Sequence, residues 1–176
     1  MSKPEAHQNG WLSAALLRYE RPLMRYAHRL VGQTETARDV VQDCFLRLLR
    51  QPAGRVDGHL AEWLFTVCRN RALDHLRKDG RMDALGETEI AAGTAEPVAE
   101  AAKQEEAGRV LATLETLPLR QREVVHLKFR EGLSYKQIGA VCDTSASNVG
   151  FLLHTALKTL RERLGAPAIV RTRKAQ

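Results

Sequence analysis

Apolar residues recur along this chain at the three-and-four spacing that gathers them on one side of a helix, in blocks separated by turn-forming or polar stretches. Trp11 to Val31 is amphipathic, with Leu12, Leu16, Leu23, Tyr26, Ala27 and Leu30 among its apolar positions. Pro22 predicts a kink or break near Glu20, because proline donates no amide hydrogen and crowds the preceding turn. Thr34 is placed to cap a second helix, Glu35 to Arg50, whose core arc is Val41, Cys44, Phe45 and Leu48. Asp39, Gln42, Asp43, Leu46 and Arg50 fall together on its opposite side. Pro52, Gly54 and Gly58 mark a turn, and His59 to Lys78 reads as a third helix. Its apolar arc holds Leu60, Leu64, Phe65, Val67, Cys68, Ala72 and Leu76; the other side collects His59, Trp63, Thr66, Asn70 and Arg77.

Gly132 to Leu164 has the pattern of two short helices across a tight turn, the arrangement that presents a helix to the DNA major groove. Ser134 with Gln137 three residues on has capping-box spacing, and Ile138 and Val141 supply the buried face of the first helix. Asp143, Thr144 and Ser145 offer acceptors for the free amides that open the second. Val149, Leu153, Ala156, Leu157, Leu160 and Leu164 share one arc of that second helix. Ser147, Asn148, Phe151, His154, Thr155 and Lys158 share the opposite arc, which suits base edges and phosphates; an ordinary amphipathic hairpin with a solvated face has the same pattern.

Charge divides the chain. Net charge is +6, distributed as +4 over residues 1–80, −5 over 81–107 and +7 over 108–176. Two basic segments joined by an acidic one suggest two modules, residues 10–80 and 108–165, with a linker between them and a basic, disordered tail at 166–176. Residues 81–107 are rich in Ala, Glu, Gly and Thr and nearly lack large apolar side chains, so they read as a flexible spacer. The expected fold is therefore all-α, two small helical modules on an acidic linker, the second a helix-turn-helix.

Catalytic chemistry is not indicated. No phosphate-binding glycine loop, nucleophile elbow or H-E-x-x-H pattern is present, and Asp39 and Asp43 lack a third ligand at matching spacing. Cys44, Cys68 and Cys142 form no C-x-x-C pair, which points to reduced thiols in a cytoplasmic protein with no metal and no cofactor. No apolar run is long enough to span a bilayer, so membrane insertion is not expected. His126, between Val125 and Leu127, reads as a boundary residue rather than a base. Two surfaces carry alternatives. The Asp39–Gln42–Asp43–Leu46 face fits solvent, or a basic protein helix. Trp63 fits packing under the preceding helix, or stacking on an unpaired base, which is worth roughly 1–3 kcal/mol.

Three blocks, in this order, carry a family resemblance: DVVQDCFLRLL (Asp39–Leu49), LAEWLFTVCRNRALDHLRK (Leu60–Lys78) and LPLRQREVVHLKFREGLSYKQIGAVCDTSASNVGFLLHTALKTLRERL (Leu117–Leu164). Together they resemble the small, two-module bacterial RNA polymerase sigma factors of the extracytoplasmic-function group. The resemblance implies that Asp39, Gln42, Asp43 and Leu46 dock on core RNA polymerase. It implies that Trp63, Thr66, Asn70 and Arg77 hold the melted non-template strand of the −10 element, with Arg55, Asp57 and His59 forming a pocket for a flipped base. The C-terminal module would then read the −35 element of promoter DNA, and an anti-sigma factor would hold the protein in check.

One departure stands out. Recognition helices of the family commonly carry several cations, whereas NVGFLLHTAL here has none before Lys158. Fewer cations mean less counterion release and weaker phosphate attraction. The expected −35 contact therefore leans on Ser147, Asn148, His154 and helix-terminal amides, with Lys128, Lys136 and Lys158 as phosphate ligands, Phe151 touching a thymine methyl or a protein, and Tyr135 as a further −35 residue. Two function classes remain: a promoter-specificity subunit of the polymerase, and a stand-alone helix-turn-helix regulator of duplex operators. The polar docking face and the Trp-bearing helix distinguish them, since a stand-alone regulator needs neither.

Overall fold

A computed structural model describes residues 3–52, 54–80 and 101–165. They form seven α-helices and one 3₁₀ turn, and no strand occurs among them. The helices are α1 (Lys3–Val31), α2 (Thr34–Leu49), α3 (Leu60–Lys78), α4 (Ala101–Glu115), α5 (Leu119–Phe129), α6 (Tyr135–Cys142) and α7 (Ala146–Leu164), with the 3₁₀ turn at Asp57–His59 ahead of α3. The fold is all-α.

Helices α1, α2 and α3 pack on one another, and α4 to α7 form a second group around α7. The first group buries Leu23, Tyr26, Leu30, Val41, Cys44, Phe45, Leu48, Leu64, Phe65 and Cys68, the positions that helical spacing assigns to its core, and Val40 beside them. The second buries Val124, Leu127, Ile138, Val141, Val149, Leu153, Ala156 and Leu160. The two groups do not stand apart: α3 packs along α6, and one continuous hydrophobic cluster runs through both.

Three local expectations need correction. Helix α1 runs through Pro22 without ending, which excludes the break of the two alternatives. Proline costs a helix interior about 3 kcal/mol, but Ala15 on one side and Leu23, Tyr26 and Ala27 on the other are all buried in the same core, and their packing outweighs it. The cap of α2 is Gln33 rather than Thr34, which lies inside the helix; no side chain closes that end. Helix α4 begins at Ala101, inside the stretch read as linker, and its opening AAKQEEA is made of strong helix formers. The rest of the expected linker, residues 81–100, and the expected tail, 166–176, lie outside the described residues.

The C-terminal turn shows why this sequence folds as it does. Ser134 and Gln137 complete a reciprocal capping box, the Ser134 hydroxyl accepting from the Gln137 amide and the Gln137 side chain accepting from the Ser134 amide. Helix α6 ends at Asp143, the one non-glycine residue with positive φ (52°) among those described. Of the three candidate caps for α7 it is Ser145 that acts, its hydroxyl accepting from the Asn148 amide at 3.1 Å. Gly139 permits the tight crossing, since a Cβ there would stand 2.7 Å from the Thr144 carbonyl oxygen.

Candidate nucleic-acid interface

Helix α7 turns its predicted face outward. Ser147, His154 and Lys158 are exposed, and Phe151 is 65% exposed, the largest apolar surface on that helix. Asn148 is half-buried, and its side-chain amide donates to Thr144 Oγ1 at 2.8 Å, so it rigidifies the turn as well as bordering the face. Lys136 and Tyr135 are exposed at the start of α6, and the Tyr135 ring packs against the site of Gly150. Lys128 is less free than its sequence suggests: its ammonium donates to the Leu133 carbonyl at 3.3 Å and lies 5.3 Å from the Tyr135 ring centroid. Lys158 lies 4.0 Å from Glu162, an exposed pairing of little energetic weight.

The α3 face is also assembled as expected. Trp63, Thr66, Asn70 and Arg77 line one side, with Asp57 and His59 in the 3₁₀ turn just before it and Arg55 exposed two residues earlier. Trp63 is partly buried against the hydrophobic cluster, so one part of the indole serves the core and the remainder is open. Thr66, half-buried, donates its Oγ1 hydrogen back to the Glu62 carbonyl at 2.8 Å. Arg77 is tethered to Asp74 at 2.9 Å, while Asn70 is exposed.

On α2, Asp39 and Gln42 are exposed, and Leu46 is 46% exposed. Leu46 and Gln42 line an open groove between α1 and α2, together with Leu16, Met24, Phe45 and Leu49. Asp43 differs from its neighbours. It binds Arg47 on its own helix at 3.2 Å and Arg71 on α3, so it joins α2 to α3 as well as facing outward.

Sequence reasoning missed a further polar cluster, at the boundary of the two helix groups. Glu123 of α5 accepts from Tyr26 Oη at 2.7 Å and from Arg69 Nε at 2.9 Å. Burial and the Glu123 carboxylate both push the Tyr26 hydroxyl well above its ordinary pKa, so it stays a donor. Burial opposes the charge on Arg69, but Glu123 reverses that and raises its pKa. The Cys142 thiol, desolvated and close to Glu123, is pushed up to about 12 and is inert. The only signal available was an acid, Glu123, directly ahead of the apolar pair Val124–Val125. Among the described residues no group of three or more His, Cys, Asp or Glu could hold a metal ion, and no helix is long and apolar enough to cross a membrane.

A helical chain with a capped helix-turn-helix at one end and an aromatic-bearing polar helix at the other has counterparts of known class. The family model for Sigma-70 region 2 matches residues 16–82, and that for Sigma-70 region 4 matches residues 107–160. Among curated proteins, the ECF RNA polymerase sigma factor SigL of Mycobacterium tuberculosis is 32% identical over 155 residues, 85% of this chain and 86% of that protein. SigE of Mycolicibacterium smegmatis, another ECF RNA polymerase sigma factor, is 32% identical over 80% of this chain and 56% of its own length. This chain thus spans little more than half of some of the relatives it matches. A co-crystal structure of the sigma factor RpoE with the anti-sigma factor NepR, from Bartonella quintana, aligns over 86% of this chain and 95% of that one, with a TM-score of 0.64 and 25% identity. The chain belongs to the ECF RNA polymerase sigma factors.

Proposed function

We propose that this protein is a promoter-specificity subunit, which binds core RNA polymerase and directs initiation at a subset of promoters without catalysing a step itself. Family membership carries the reading, and the placement of the side chains supports it in detail. The α2 face, with Asp39, Gln42, Asp43 and Leu46 beside the apolar α1–α2 groove, offers acidic, amide and aliphatic groups to a polymerase helix of complementary charge. The α3 face, with Arg55, Asp57 and His59 before it, takes the separated −10 strand, Trp63 stacking on a base and Asn70 and Arg77 binding edges and phosphates. The α7 face reads the −35 duplex through Ser147, Asn148, Phe151 and His154, with Tyr135, Lys128, Lys136 and Lys158 on the flanks. These assignments divide the chain into a −10 module at 10–80, a connecting stretch and a −35 module at 108–165. The Bartonella neighbour's anti-sigma partner supports a similar protein inhibitor here, and the proposed site of action is the cytoplasm, where polymerase works.

Transcription by core RNA polymerase on pooled promoter fragments, with and without the protein, tests the reading. Discrete new transcripts that need the protein are expected, with shared upstream sequences. Tight duplex binding without polymerase, together with no new transcript, would instead indicate a stand-alone regulator.

A further inference from the structure

Helix α7 carries a glycine beside the polar stripe of its outward face. Gly150 is half-exposed, and its neighbours along the helix surface, Ser147 three residues before and His154 four residues after, are both exposed, as is Phe151 next to it. Alanine is the better helix former at such an interior position. It would also fit, because a Cβ at Gly150 would stand 3.6 Å from the nearest Tyr135 ring carbon, in ordinary contact. Gly139 of α6 differs, since a Cβ there would stand 2.7 Å from the Thr144 carbonyl oxygen. Packing therefore demands glycine at Gly139 and does not demand it at Gly150. A bare backbone position on an outward face lets a ligand approach closely.

The walls around that position are aromatic. The exposed Tyr135 ring borders Gly150 with its Cδ2–Cε2 edge, and the exposed Phe151 rises from the next position of α7. Tyr135 is braced from α5: Lys128 Nζ lies 5.3 Å from its ring centroid and donates to the Leu133 carbonyl at 3.3 Å. What remains over Gly150 is a shallow seat with room for one methyl group, the space an alanine side chain would fill. Backbone forms its floor, the two rings form its walls, and Ser147 and His154 bound it along the helix axis.

Among the groups that base pairs present in the major groove, the apolar one is the thymine 5-methyl. Cations stand near the seat, with Lys136 exposed at the start of α6 and Lys158 exposed on α7, and residues 108–176 carry a net +7. That charge favours a polyanion as the bearer of the methyl group over a protein chain. We propose that Gly150 is a specificity-determining position, its missing side chain leaving between Tyr135 and Phe151 a seat for the 5-methyl group of one thymine in duplex DNA. The seat stands on the geometry; its placement in the −35 element rests on the promoter-specificity reading. It also gives a use to a recognition helix with no cation before Lys158, because an apolar contact selects a base pair without counterion release.

Duplexes enriched from a random pool by the full-length protein, with core polymerase and without it, supply the probe. Each thymine of the enriched site is replaced in turn by deoxyuridine, which lacks only the 5-methyl group, and binding is measured for the parent and for Gly150→Ala. The parent should lose affinity about fourfold at one thymine, the effect of a single buried methyl group. Gly150→Ala fills the seat with its own methyl. It should bind the thymine duplex about fourfold more weakly than the parent and be indifferent to deoxyuridine at that position. Alanine strengthens the helix, so the variant's denaturation midpoint should not fall and misfolding is excluded as the cause. Phe151→Ala, which removes one wall, should narrow the preference for thymine to about twofold. A parent that treats thymine and deoxyuridine alike at every position overturns the seat. So does a Gly150→Ala chain that keeps the parent's full preference, and so does the enrichment of no duplex under either condition. Methyl discrimination by the free protein, together with no polymerase-dependent transcript, upholds the seat and removes the promoter-specificity reading instead.

Discussion

Helices α3 and α7 are each 19 residues long, and each turns outward a polar stripe interrupted by one aromatic residue. The use of that aromatic separates them. Trp63 on α3 is partly buried and packs against the core, so only part of its ring is available. Phe151 on α7 is 65% exposed and contributes nothing to the core. A packed, half-open indole suits stacking under a base already removed from its helix, because its own ordering entropy is paid in folding. A projecting phenyl on a capped helix suits a groove, where it meets methyl groups at a base-pair edge. On the proposed reading, α3 takes single strand and α7 takes duplex.

Trp63→Ala should break that contrast most severely. Loss of one stacked base corresponds to roughly 1–3 kcal/mol, or about 5- to 150-fold weaker binding of a single-stranded −10 oligonucleotide by the polymerase complex. Duplex −35 binding should be untouched and Trp63→Tyr should recover much of the loss; equal loss in both assays would make Trp63 a packing residue only. Gly139→Ala comes next. Its Cβ would stand 2.7 Å from a backbone oxygen that cannot swing away, so the helix-turn-helix should lose about 1–3 kcal/mol in chemical denaturation. Ser145→Ala removes the hydroxyl that caps α7 and should cost about 1 kcal/mol in the same experiment. Lys158→Ala should be mildest: −35 affinity should fall slightly and uniformly across sequences, and the slope of log affinity against log salt should drop by about one.

Acid should loosen the boundary between the two groups. Burial lowers the His126 pKa below its ordinary value, and the Arg29 and Arg130 charges reinforce this against the Glu131 carboxylate 3.2 Å from its Nε2. Tyr26 covers the other face of the ring, and Arg25 reaches the same carboxylate. A histidine whose pKa is lowered by folding binds its proton more readily once unfolded. Its contribution is therefore complete above about pH 6.5 and is lost as the pH falls through the folded value. Thermal midpoints should fall from pH 7.5 to pH 5.5 by more in the parent than in His126→Phe, which keeps the stacked ring without a titrating group. Identical slopes would show that the ring is not the sensor.

What the sequence disclosed depended on how local each signal was. The Ser134–Gln137 capping box lies within one turn of chain, and the core arcs of α2, α3 and α7 follow from spacing alone; all were legible. The continuity of α1 through Pro22 was not, because the burial that holds it comes from α2 and α3 rather than from its own residues. Asp43 shows an intermediate case: its exposure was readable, but its ion pair with Arg71 on α3 was not. Glu123 is the extreme, an acid at the polar edge of Val124–Val125 whose partners lie on two distant helices. Nothing local in RQREVVHL distinguishes Glu123 from a solvated acid, because the groups that hold it come from α1 and α3.

The division of labour between α3 and α7 can be tested directly by permanganate reactivity of non-template thymines in the −10 element, with a footprint over −35 in the same reaction. Core polymerase with the parent protein should give reactive −10 thymines and a protected −35 element. Trp63→Ala should lose the reactive thymines and keep the footprint, and Phe151→Ala should weaken the footprint first. Protection of −35 with no reactive thymine under any condition, polymerase included, would contradict the account and leave a protein that reads duplex DNA alone.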